Sequence, residues 1–144
     1  MNEQNFSNHA KVVPGFMFLV LPVLLLNLVQ SAINWKAAHY SFAGLVGVLL
    51  AIALIRLAFF ARTFALGVQD RVIRLEERLR YQQLLPEDLK SRIGDFTVNQ
   101  LVALRFASDA ELPALARKVL DGKVDSRKAI KRMVQNWRPD FQRV

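Results

Sequence analysis

Cysteine is absent from the 144 residues. That excludes disulfide staples, thiolate metal sites and thiol nucleophiles, and it fits a reducing compartment. Histidine is nearly as scarce. The two present, His9 and His39, fall on opposite sides of the first membrane span predicted below, so they cannot join one metal site within a chain. No H-E-x-x-H, G-x-G-x-x-G, P-loop or G-x-S-x-G occurs. Glu76-Glu77 is a carboxylate pair only by adjacency, because helix neighbours point about 100° apart, and a solvated face accounts for both. The residues predict no enzymatic activity, no metal and no cofactor.

Charge is scarce in the first half and abundant in the second. The whole chain carries +8. Residues 12–61 hold only Lys36 and Arg56, while residues 62–144 hold 17 Lys/Arg against 11 Asp/Glu, a net +6. Residues 12–33, VVPGFMFLVLPVLLLNLVQSAI, are free of charge, and a bilayer core needs about 20 such residues. A cleaved signal peptide is the rival reading. The mixed charge of the n-region and the length of the apolar run argue for a retained span. Pro14 suits the first turn of that helix. Pro22 is interior and predicts a kink or weak spot.

Residues 34–40 form a short outer loop flanked by Trp35 and Tyr40, the residue types that sit at membrane interfaces. So short a loop forces two antiparallel helices, the second over 41–61. Lysine and arginine crowd the segment after it, and the outer loop has only Lys36. The positive-inside rule therefore puts both termini in the cytoplasm. Arg56, about a turn inside the cytoplasmic boundary, reads as a side chain reaching for the headgroups.

The stretch that organises the chain runs from Gly44 to Leu79. At alternating steps of three and four it reads Gly44, Gly47, Ala51, Leu54, Ala58, Ala61, Ala65, Val68, Val72, Leu75 and Leu79. This is a heptad seam that begins in the second span and continues among charged residues. A helix over 41–85 would be roughly 65 Å long. Ala43, Gly47 and Ala51 form a small-xxx-small ladder, and Asn27 and Gln30 of the first span fall at the levels of Gly47 and Ala43, where an interhelical hydrogen bond is expected. Asp70–Arg74 and Glu76–Arg80 have the spacing of helix-supporting ion pairs. The soluble part of the seam, Val68 to Leu79, spans only about two heptads. It has two available partners, another copy of the chain or the C-terminal helices of its own.

The last segment, 86–144, reads as short amphipathic helices. Pro86 with Glu87 and Asp88 starts one that Gly94 ends. Thr97 and Gln100 have capping-box spacing and open a helix to about Phe106. Ser108 and Glu111 repeat the spacing, with an end near Gly122. Asp125 or Ser126 caps a final helix over about 127–137. Leu101, Leu104, Leu112, Leu115, Val119, Ile130, Met133, Val134 and Trp137 can share one core, small enough to lean on the long helix. Arg127, Lys128, Lys131 and Arg132 lie off or at the edge of that apolar face. They predict solvated charge or contact with an anionic lipid surface. No RNA-binding signature, zinc spacing or basic-zipper register points to nucleic acid.

Four stretches carry a family resemblance: Gln4-Asn5-Phe6-Ser7-Asn8-His9, Arg74-Leu75-Glu76-Glu77-Arg78-Leu79-Arg80, Gln100-Leu101-Val102-Ala103-Leu104-Arg105-Phe106-Ala107-Ser108-Asp109, and Asn136-Trp137-Arg138-Pro139-Asp140. Together they resemble an uncharacterised family of short bacterial membrane proteins with two spans, a basic helical C-terminal region and no assigned activity. The resemblance implies a bacterial envelope setting and an uncleaved first span. It brings no functional residues with it.

These readings predict an all-α membrane protein of the bacterial inner membrane. An N-terminal segment (1–11) leads to a transmembrane hairpin (12–33, 34–40, 41–61). The second span continues into a long cytoplasmic amphipathic helix (62–85), followed by a small bundle of short helices (86–144). The expected role is that of a non-enzymatic scaffold or accessory subunit, self-assembling or docking through the Gly44–Leu79 seam. Its expected partners are the lipid bilayer and further copies of itself, or a larger membrane complex. A small homo-oligomeric channel or transport component is the alternative, and a membrane-tethered regulator binding anionic lipid or nucleic acid a further one.

Overall fold

The apolar periods of the sequence become helices throughout. The structure is a computed structural model describing residues 4–8 and 12–140. His9 lies outside them, as do the flanking parts of the 1–11 segment and the last residues of the 86–144 segment. In order the helices are α1 (Leu21–Ala37), preceded by a π-helical turn over Phe16–Val20, then α2 (Phe42–Leu84), α3 (Glu87–Lys90), α4 (Val98–Leu104), α5 (Leu112–Asp121) and α6 (Arg127–Met133). Among the described residues there is no strand, only an isolated antiparallel bridge between Ala107 and Trp137. Two compact units emerge, one over residues 12–66 and one joining the N-terminal segment to residues from Gly67 onward.

In the first unit, Phe16–Ala37 and Phe42–Leu84 are each long and apolar enough to cross a membrane. Their large side chains point outward, with Phe18, Leu26, Val29, Leu50 and Leu57 all exposed. Pro22 acts where the sequence placed a weak spot. Proline has no N–H and its ring crowds the carbonyl four residues back. The chain responds with a wider π turn just before it, closed by Leu21 N–H donating to the Phe16 carbonyl. The helix then continues through Pro22 into α1 with right-handed helical geometry on both sides of the π turn.

Helix α1 runs to Ala37, so the loop expected over 34–40 shortens to residues 38–41. It ends in a Schellman motif. Tyr40 N–H donates to the Trp35 carbonyl at 2.9 Å and His39 N–H to that of Lys36 at 3.1 Å, with His39 and Tyr40 at φ 50° and 60°. The accompanying contact is aromatic, Trp35 against Tyr40 edge-on with centroids 5.3 Å apart. Ser41 then caps α2, its Oγ accepting from Gly44 N–H at 3.2 Å. Gly44 has a steric reason to be glycine: a Cβ there would lie 2.7 Å from Trp35 Cδ1 and 2.9 Å from Trp35 Cα. At the other end of the same pair of helices, Phe16 meets Phe59 edge-on at 6.1 Å.

The second unit has one apolar core. Tyr81 and Leu85 at the end of α2 enter it with Leu89, Phe96, Leu101, Leu104, Leu112, Leu115, Val119, Ile130 and Val134, while Met133 and Trp137 pack at its edge. Tyr81 is fully buried, its ring 5.2 Å from that of Phe96. The capping box at Thr97 and Gln100 is complete in both directions. Gln100 Nε2 also donates to the Val124 carbonyl at 3.0 Å. Helix α5 ends at Gly122 in a second Schellman motif, with Val124 N–H to Val119 O and Lys123 N–H to Leu120 O. Lys123, not Gly122, takes the positive φ of 48°.

Three expectations are corrected. The helix after Pro86 lasts four residues and gives way to a 3-10 turn at Ile93–Asp95. Asp70 pairs with Arg127 at 2.7 Å, and Arg80 pairs with Glu77 and not Glu76, so the ion pairs of α2 differ from the i,i+4 expectation. The final helix stops at Met133 and not near Trp137. The chain there turns extended because Glu111 takes the Gln135 and Asn136 N–H groups, each at 2.9 Å, and Trp137 bridges to Ala107.

Tyr81 is the largest α2 side chain in the core, and Tyr81→Ala is expected to cost about 3–5 kcal/mol of that unit's stability. The check is amide hydrogen exchange across α4 and α5, which should lose protection in the variant. Unchanged protection would show that α2 is not part of this core.

Candidate functional site

Helix α2 presents two faces after Gly67. Asp70, Ile73, Glu77 and Tyr81 follow one another at steps of three and four on one side. Ile73 is 5 % exposed and Glu77 5 %. The seam lies on the other: Val68 is 62 % exposed, Val72 49 %, Leu75 62 % and Leu79 54 %. With about 100° per residue, the two stripes are close to diametrically opposed. The chain's own C-terminal helices thus cover the mixed polar stripe and leave the apolar one open. Glu77, read from the sequence as solvated, is buried.

A cleft of about 810 Å³ opens beside the buried stripe, lined by Glu76, Glu77, Leu79, Arg80, Gln83, Leu84, Arg105, Asp109 and Arg138–Asp140. Arg80 is its centre. Its Nη1 donates to Glu77 Oε2 at 3.1 Å, its Nη2 to Asp109 Oδ1 at 2.6 Å and the Ala107 carbonyl at 2.7 Å, and its Nε to Asp109 Oδ1 at 2.9 Å. A planar fork can serve so many acceptors at once. Arg105, itself buried, has Nε 3.1 Å from Asp140 Oδ2 and its guanidinium 4.6 Å from the Phe106 ring centre. Trp137 covers the same ring at 5.0 Å. Arg138 N–H donates to the Phe106 carbonyl at 2.7 Å. Gln4 closes the cluster: the Asp140 N–H donates to Gln4 Oε1 at 2.7 Å, and Gln4 Nε2 donates to the Asp140 carbonyl at 3.3 Å.

The four stretches that carry the family resemblance therefore converge. Gln4, Glu77 and Arg80, Arg105 to Asp109, and Trp137 to Asp140 all meet in this cluster. Its carboxylates alternate with guanidinium groups, so the arrangement clamps the N-terminal segment, α2, the α4–α5 turn and the C-terminal strap together. Sequence reading missed it because Glu77, Arg80, Arg105 and Asp109 are ordinary surface residue types, brought together across 25 or more positions. The available signal was the second stripe on α2, in which Ile73 and Tyr81 alternate with acids.

The other predicted residues are placed as follows. In the first unit Ala51 is fully buried, Gly44, Gly47 and Ala58 are half-buried, and Leu54, Ala61 and Ala65 are exposed. Asn27 and Gln30 are exposed, and Gln30 Nε2 donates to Asn34 Oδ1 at 2.8 Å on its own helix and not across to α2. Of the basic group, Arg127 is held by Asp70 and by Asn99 Oδ1 at 2.7 Å. Lys131 Nζ sits 4.9 Å over the Phe106 ring, and the Arg132 guanidinium 5.4 Å over that of Phe6. Lys128 is exposed. No group of three or more His, Cys, Asp or Glu suited to a metal occurs among the described residues.

Two consequences are measurable. Breaking a buried pair leaves its partner charges uncompensated, so Arg80→Ala is expected to destabilise the second unit by about 3–5 kcal/mol, read from its denaturant midpoint. Burial pushes the Glu77 carboxyl above its ordinary value of 4.5, with Arg80 pulling back. A raised carboxylate favours the folded state when protonated, so its stabilising share is full below pH 4.5 and lost as pH rises through the folded value. Glu77→Gln should remove that part of the pH dependence: the difference in urea midpoint between pH 4.5 and pH 7.5 becomes smaller or reverses in the variant. An unchanged profile would mean that Glu77 titrates as a solvated group.

Among curated proteins none matches this chain, and no solved structure matches it either. A family of unknown function (DUF6526) matches across residues 1–144, and the chain belongs to that family.

Proposed function

We propose that this is a non-enzymatic scaffold or accessory subunit of the bacterial inner membrane, self-assembling through the seam of α2. Its two apolar helices form a transmembrane hairpin, its termini lie in the cytoplasm, and the C-terminal helical region is cytoplasmic. The observation that carries the reading is the open stripe Val68, Val72, Leu75, Leu79, which remains exposed after the chain's own helices have taken the opposite side of α2. Isolated surface leucines are ordinary, but a continuous apolar stripe marks an interaction surface.

Membrane insertion is supported by helices that are apolar on all sides and by Trp35 and Tyr40 at the turn. A common side for the two ends is supported by the Gln4–Asp140 pairing, which joins the N-terminal segment to the last part of the C-terminal unit. An even number of crossings permits that pairing. The charge bias supports a cytoplasmic location for that side, with Arg56, Arg62 and the basic second half against Lys36 alone at the outer end of α1.

Because the chain has no cysteine, Ala61→Cys, Val68→Cys and Leu75→Cys each introduce a sole thiol. Oxidation of native membranes is expected to give same-residue disulfide dimers, and extraction in mild detergent a mass of more than one chain. Absence of dimer at all three positions, with a monomer mass, would overturn the self-assembly reading.

A further inference from the structure

The seam has a register as well as an apolar face. With Val72 and Leu79 as a positions and Val68 and Leu75 as d positions, Arg71 and Arg78 fall at g and Glu76 and Gln83 at e. Asp70, Ile73, Glu77, Arg80 and Tyr81 fall at f, b and c, the side already occupied by the chain's own second unit. The a/d side is exposed, with Glu76, Leu79 and Gln83 also forming the rim of the cleft beside Arg80.

We infer that residues 68–82 pair with a second copy as a parallel, in-register two-stranded coiled coil held by an interchain Arg71–Glu76 ion pair. In a parallel pair, g of one helix faces e of the following heptad on the other, five residues on. That places Arg71 against the second copy's Glu76 twice, once on each side of the two-fold axis. An antiparallel pair sets g against g, bringing Arg71 and Arg78 together, and like charges there are unfavourable. Arg71 and Glu76 are both exposed, and neither takes part in an ion pair found among the described residues.

Chain direction agrees with this. Val72 at a with Leu75 at d is the β-branched/γ-branched order that favours two strands, while Val68 at d and Leu79 at a carry the reverse order, so the charges at e and g decide the pairing. Two heptads are short for a coiled coil in water, and here the inference rests on the membrane reading above. Copies anchored in one bilayer face run α2 in the same direction, and tethering raises their effective concentration. Gln82 at the next d position, followed by the end of α2 at Leu84, bounds the pairing.

The test uses the full chain in native membranes with Leu75→Cys as reporter. Arg71→Glu alone and Glu76→Arg alone each set like charges against one another and should weaken the apparent dimer affinity by roughly fivefold, read as a lower crosslinked fraction, two exposed pairs being lost per dimer. The double exchange R71E/E76R restores the attraction with the signs reversed and should recover the dimer. Recovery, together with a two-chain mass after extraction, supports the inference. If the unmodified chain assembles but the single exchanges have no effect, or the double exchange fails to rescue, the parallel register is overturned while the scaffold reading stands. If the chain is monomeric throughout, both fall.

Discussion

The guanidinium of Arg80 is the contact on which the arrangement of the second unit depends. A nearly buried cation is destabilising unless its donors are all used, and here Glu77, Asp109, the Ala107 carbonyl and, at 3.5 Å, the carbonyl of the α4 cap residue Arg105 use them. Two of those acceptors lie beyond α4, so the fork ties the long helix to the start of the α4–α5 turn. It also sets the rotation of α2 about its own axis. With Arg80 turned toward Asp109, the stripe through Ile73, Glu77 and Tyr81 must face the core, and the stripe through Val72, Leu75 and Leu79 must face away. One polar contact thus decides which apolar surface is left for others.

Local signals in the sequence were legible, and long-range ones were not. The capping box at Thr97 and Gln100, the end of α5 at Gly122 and the disturbance at Pro22 are all settled within one or two turns of chain, where sterics and unpaired N–H groups leave few options. Lys123 shows the limit even there, since the positive φ falls one residue past Gly122. The last helix was overestimated because its residues favour helix up to Trp137, while Glu111, more than twenty positions earlier, captures the N–H groups that a helix would have used. The polar cluster itself was invisible for the same reason. Arg80 and Asp109, or Arg105 and Asp140, look like solvated charge until the fold sets them side by side.

The seam is one of two stripes on α2. A search for apolar periodicity finds the purer of two faces, and on α2 the purer face is the one that the monomer does not bury. Ile73 and Tyr81 are too far apart, and too mixed with Asp70, Glu77 and Arg80, to register as a core face. They bury well because their charged neighbours have partners waiting: Arg127 for Asp70, Arg80 for Glu77, Asp109 for Arg80.

This inversion is the physical case for assembly. Helices in water ordinarily bury the apolar face and solvate the charged one. After Gly67, α2 buries a face that mixes Ile73 and Tyr81 with Glu77, and the seam stays exposed, where burial of each Val or Leu would be worth on the order of 1.5–3 kcal/mol. A fold that desolvates a glutamate and an arginine on one side of a helix while leaving four aliphatic side chains bare on the other has a free-energy gain still to collect. On the proposed reading a second surface of matching period would collect it, and the charges that flank the stripe, Arg71 on one edge and Glu76 on the other, are complementary to a copy of themselves running the same way.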